Sequence, residues 1–173
     1  DFTADNLNNT AKGSGAGEVM IHELVHQWWG LGNMFDAADP ASPWSAEGLT
    51  VYTTYRIAKE LYGEDYARER YIDQWQQAVD QYSLNFYVRN PSYLAALPEE
   101  QRLEISNSLA YVRQYCEMPL KIWKAQQLLG GEDAMDRVLH DLFNREPDPQ
   151  YPYLTYSDFL EACGLSEEVL TLG

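Results

Sequence analysis

Several residue types that would tie this chain to large function classes are scarce. Only two cysteines, Cys116 and Cys163, occur in 173 residues. Two thiols cannot build a disulfide framework, and a chain of this length can form a sizeable core without one. Basic residues are outnumbered, 12 Lys and Arg against 27 Asp and Glu, for a net charge of −15 at pH 7. Such a surface repels phosphate backbones and excludes nucleic acid as a natural partner. The plainest reading of the acidic excess is solubility. No apolar run reaches the length of a bilayer span, so no membrane contact by this segment is expected, and no signal peptide is present. No stretch alternates in the manner of a half-buried strand, and there is no repeat or low-complexity tract.

Aromatic residues are plentiful at 13%, with 13 Tyr and 5 Trp, in an otherwise ordinary globular balance of 45% hydrophobic and 23% charged residues. They suit large buried surfaces or an aromatic-lined cleft. Residues 1–17 are polar, end in Lys12-Gly13-Ser14-Gly15-Ala16-Gly17, and read as a flexible lead-in. From Glu18 the pattern turns helical and continues to Trp29, where Gly30 and Gly32 stop it. A loop over 33–44 leads to a helix over 45–62 ended by Gly63, and then to one long amphipathic helix over 65–88. Pro98 opens a further helix. Pro119 is tolerated if a new helix begins there. Gly130-Gly131 separates that stretch from a helix carrying Met135, Val138, Leu139, Leu142 and Phe143 on one face. Short helices are expected over 157–163 and 166–170. The reading is all-α, with residues 18–173 as one helical domain.

His22-Glu23-Leu24-Val25-His26 lies on the first of these helices. Residues four apart share one helical face, so His22 and His26 can bring two imidazole nitrogens to one metal ion. Glu23 then projects beside the open position, where it can take a proton from water. Two of the three histidines in the chain occupy these positions, and His140 reads as a surface residue. Zinc takes nitrogen, oxygen or sulfur ligands and keeps one position open in catalytic sites. A third His ligand of the metzincin type would need Gly at position 29 and His at position 32. Trp29 and Gly32 stand there instead. The best remaining candidate is Glu47, which opens the next helix on the face of Val51, Thr54 and Ala58. Asp36 and Asp39 compete, although loop carboxylates before proline suit turns better. No carboxylate follows Glu47 by four residues, since Val51 is there, so what orients the histidines stays open.

The segment His22–Gly30, HELVHQWWG, resembles the HExxH-Q-W-F-G signature of the aminopeptidase N family of gluzincin zinc peptidases. Trp44–Tyr52, WSAEGLTVY, resembles that family's W-L-N-E-G-F-A-x-Y segment. The resemblance implies zinc held by His22, His26 and Glu47, with Glu23 as the general base. It also implies a tyrosine that donates a hydrogen bond to the developing oxyanion. Counting back from Leu128-Leu129 places that tyrosine at Tyr115, with Tyr111, one turn earlier, as the alternative. Glu117-Met118 replaces the family's K-G after it. The family's G-x-M-E-N strand, which binds a substrate amino terminus, has no counterpart in residues 1–17.

The resemblance therefore implies the helical half of a thermolysin-like domain, with little or no β-sheet, cut from a longer parent. The partners it implies are a peptide substrate and an upstream β-rich part of the same parent chain. The implied activity is zinc-dependent peptide hydrolysis of the aminopeptidase type, with the isolated segment expected to be weakly active. A non-catalytic metal-binding or interaction module within a larger protein is the alternative. Activity of the parent discriminates the two.

Overall fold

The computed structural model describes residues 15–32, 35 and 44–172. Among these residues every regular element is helical and no strand occurs, in accord with the all-α reading. Helix α1 spans Gly15–Val25 and so opens at Gly15 rather than Glu18. The rest of the expected lead-in, residues 1–14, lies outside the described residues. After Val25 the chain tightens through one more turn. Trp28 N–H bonds the Val25 carbonyl, and Leu31 N–H reaches back to the His26 carbonyl at 3.1 Å. With Gly30 at φ +92°, this six-to-one bond is a Schellman stop, as the glycine pattern predicts.

A wide π turn, Trp44–Gly48, runs directly into helix α2, Leu49–Tyr62, which Gly63 ends at φ +93°. The expected long helix over 65–88 is instead divided. Helix α3, Glu64–Ala67, passes through a second π turn, Arg68–Ile72, into helix α4, Asp73–Leu84. Asn85 then leaves helical conformation. Its side-chain oxygen accepts from the backbone N–H of Tyr87 and Val88, capping helix α5, Phe86–Arg89. The capping preference of Asn thus prevails over the apolar periodicity. Helix α6, Pro91–Ala95, begins at the proline, and helix α7 spans Glu99–Val112.

Pro119 is accommodated by a third π turn, Arg113–Glu117, which precedes helix α8, Met118–Leu129. The residues around this turn keep helical dihedrals. Proline in a helix lacks an N–H and crowds the preceding turn, and widening that turn relieves both faults. Helices α9, Glu132–Phe143, α10, Tyr156–Cys163, and α11, Glu167–Leu170, complete the order.

Helix α2 packs against α1, α3 and α8. Trp44, Leu49, Tyr52, Leu120, Ile122, Met135 and Phe159 are fully buried around it. Each such side chain contributes roughly 1.5–3 kcal/mol of burial. The Tyr52 hydroxyl is not wasted, for it donates to Gln126 Oε1 at 2.6 Å across to α8. Arg56 and Lys59 tie the outer face of α2 to Asp136 and Glu132 of α9. The first and third π turns pack against one another, which brings residues 44–48 and 113–117 to the same end of the molecule.

Candidate metal centre and cleft

Helix α1 presents His22 and the turn just past its end presents His26, their rings edge to face with centroids 4.8 Å apart. The first π turn aims Glu47 between them. Glu47 Oε2 lies 3.2 Å from His22 Nε2 and 3.7 Å from His26 Nε2. The three potential ligand atoms all fall within 4.8 Å of one another. Tetrahedral zinc with bonds of about 2.1 Å separates its ligands by about 3.4 Å, so the spacing suits that ion.

Glu47 Oε2 is buried, and no hydrogen-bond donor is aligned on it. A carboxylate oxygen enclosed in this way is costly unless a cation satisfies it. Burial alone would raise the Glu47 carboxyl pKa. The contact with His22, the attraction of both imidazoles and the Tyr115 hydroxyl outweigh it and hold the group below its ordinary value.

Tyr115, from the third π turn, donates its hydroxyl toward Glu47, and its ring stands 6.3 Å from that of His22. Burial and the neighbouring Glu47 charge push the phenol up to about 12, so it remains a donor at neutral pH. Tyr111 stacks on Tyr115 with centroids 4.6 Å apart but is largely exposed. Of the two tyrosines, Tyr115 is the one that reaches the carboxylate.

Glu23 is exposed and lines two clefts that meet at the site. One, of about 450 Å³, runs past His22 along Val19, Val51, Tyr71 and Tyr111. The other, of about 440 Å³, runs past His26 along Gln27, Leu31 and Ala46. Trp29 buttresses the end of α1, its indole N–H donating to Thr53 at 3.1 Å and its ring edge-on to Phe143. Trp28, by contrast, is 53% exposed. His140 is on the surface, as its place on α9 suggests. Asp36 and Asp39 lie outside the described residues.

Three features of the site have no signal in local patterning. Thr50 of α2 reaches His26. Arg70 does not pair within its own helix. It crosses to Glu18 of α1 at 3.0 Å, where Tyr66 also donates. Finally, each of the three π turns supplies a group to the site or its cleft: Glu47 from the first, Arg70 and Tyr71 from the second, Tyr115 from the third. Such turns recur at functional sites because they re-aim side chains that a regular helix would direct elsewhere.

Residues 2–164 match the peptidase family M1 domain. The chain belongs to peptidase family M1. It is 27% identical to leukotriene A-4 hydrolase of Xenopus laevis over 115 residues, which covers 66% of this chain and 18% of that protein. It is 38% identical to leucine aminopeptidase 2 of Emericella nidulans over 81 residues, covering 47% of this chain and 12% of that protein. The chain therefore spans less than a fifth of the length of these relatives. No solved structure matches it significantly.

Proposed function

We propose that this M1 chain is the metal-bearing helical part of a zinc-dependent peptidase of the aminopeptidase type. His22, His26 and Glu47 would hold the zinc ion. The observation that carries the reading is the buried Glu47 Oε2, set 3.2 Å and 3.7 Å from the Nε2 atoms of two imidazoles. Zinc, when bound, would supply Lewis-acid chemistry to the scissile carbonyl and to the attacking water. Glu23 takes a proton from that water at its carboxylate and returns it to the leaving amine nitrogen. Its position at the junction of both clefts suits a base that acts at the scissile bond. The Tyr115 hydroxyl donates a hydrogen bond to the carbonyl oxygen as negative charge develops there. The clefts on either side of Glu23 receive the peptide flanking that bond. An upstream β-rich part of a longer parent chain aligns the peptide backbone, a reading supported by the small share of its relatives that this chain spans.

The test is made on the parent chain with aminoacyl and peptide substrates. Glu23→Gln should retain one zinc ion and lose hydrolysis by at least about 10²–10⁴-fold, the usual contribution of a general base. Near-normal turnover in that variant would remove Glu23 from the mechanism. Stoichiometric zinc without any Glu23-dependent hydrolysis would instead leave a metal-binding module.

A further inference from the structure

Val51 occupies the position from which a carboxylate could have oriented an imidazole, yet His26 is held firmly. Its Nδ1 lies 3.0 Å from the Trp29 carbonyl and 3.2 Å from Thr50 Oγ1. Thr50 is completely buried. Its hydroxyl carries one proton, and the Ala46 carbonyl, at 2.7 Å, is the closest acceptor for it. The Trp29 carbonyl is much farther from that hydroxyl, at 3.5 Å. With its proton given to Ala46, Thr50 Oγ1 turns a lone pair toward His26. The Trp29 carbonyl can only accept. Two acceptors therefore converge on Nδ1, and that nitrogen must carry the ring proton. In the neutral ring, Nε2 is then left with its lone pair, on the side facing Glu47 Oε2.

We propose that Thr50 is a positioning residue of the metal centre. It fixes the tautomer and ring angle of His26, and it links that ring to the turn that carries Glu47. The link is direct, because Ala46, which accepts from Thr50, immediately precedes Glu47 in the chain. One hydroxyl thus joins His26, just past the end of α1, to Glu47 in the turn that leads into α2. The proposal rests on the metal reading of His22, His26 and Glu47. It extends that reading to a residue that touches neither substrate nor metal.

Two measurements on the 173-residue chain test it. One is zinc affinity, by competition with a chromogenic chelator. The other is the His26 tautomer in the metal-free protein, by long-range proton–nitrogen correlation at about pH 8.5, two units above the ordinary imidazole value. Thr50→Val keeps the shape and removes the hydroxyl. It should weaken zinc binding by about 10–100-fold, the usual effect of losing an outer partner of a ligand, and it should mix the His26 tautomers. Thr50→Ser should stay within about threefold of the unmodified chain by the same measure. If Thr50→Val does not fold, Thr50→Ala set against Thr50→Ser gives the same contrast with the methyl absent from both.

Unchanged zinc affinity and a single Nδ1–H tautomer in the hydroxyl-free variants would overturn the proposal, with the Trp29 carbonyl sufficing alone. A drop in melting temperature with both readouts unchanged would overturn it equally. Absence of zinc binding by the unmodified chain would sink the metal reading, while the tautomer comparison would still decide whether Thr50 holds His26.

Discussion

Gly30 passes so close to the His26 ring that a Cβ built on it would stand 3.3 Å from Nδ1. The same residue has φ +92°, a conformation that side chains rarely adopt. Gly30→Ala should therefore act twice, through backbone strain and through pressure on the His26 ring, a proposed metal ligand. The strain costs roughly 1–3 kcal/mol of stability, read from urea unfolding. Gly130 is the control, because it has φ +97° with nothing within 4 Å of a built Cβ. Gly130→Ala should lose comparable stability and keep zinc affinity, whereas Gly30→Ala should lose both. Equal zinc affinity in the two variants would show that the close approach to His26 has no consequence.

The Glu18–Arg70 pair spans the mouth of the His22 cleft, joining α1 to the second π turn. Glu18 is mostly buried, whereas Arg70 is half exposed. Water and salt screen the guanidinium, so the coupling should be small. A double-mutant cycle of Glu18→Gln and Arg70→Gln should give about 0.2–1 kcal/mol, the range for exposed pairs, and should shrink at high salt. A coupling well above that range would mean that the pair is effectively desolvated and behaves as a buried bridge.

The proposed metal site was legible because helical spacing is local. His22, Glu23 and His26 share a face by the 3.6-residue repeat alone, and Glu47 follows from the need for a carboxylate on a packed neighbour. The helices around them were legible through glycine stops and apolar faces. The π turns were not. Each inserts a residue into a pattern that still reads as helix, so nothing in the spacing marks Trp44–Gly48 or Arg68–Ile72. Only Pro119 hinted at the third. The break at Asn85 was missed because an N-cap inside an apolar repeat looks like one more polar residue. Thr50 and Arg70 act on residues in and just past α1 that are far away in sequence, at separations of 24 and 52. Such contacts come from the packing of α2 and the second π turn on α1, which no single segment encodes.

A distant helix cap supports the turn that carries Glu47. Thr155 and Asp158 form a reciprocal capping box at the start of α10. Asp158 Oδ2 accepts from Thr155 N–H at 2.7 Å, Thr155 Oγ1 accepts from Asp158 N–H at 3.1 Å, and Arg145 pairs with Oδ1 at 2.9 Å. This cap places Phe159 against Trp44, ring centroids 5.1 Å apart, at the head of the turn that carries Glu47. Burial would raise the Asp158 pKa, but the bonds from Arg145 and Thr155 outweigh it and hold the carboxyl below its ordinary value. A carboxyl lowered on folding contributes stability that is complete above its unfolded value and is lost as pH falls through its folded value. Asp158→Asn should therefore cost about 1 kcal/mol at pH 7, the usual worth of a cap. Its deficit against the unmodified chain should close as pH falls through the lowered value of that carboxyl. Urea midpoints of both proteins between pH 7 and pH 3 measure this. A deficit that persists undiminished at the acid end would show that the loss comes from shape and packing at α10, not from the carboxylate charge.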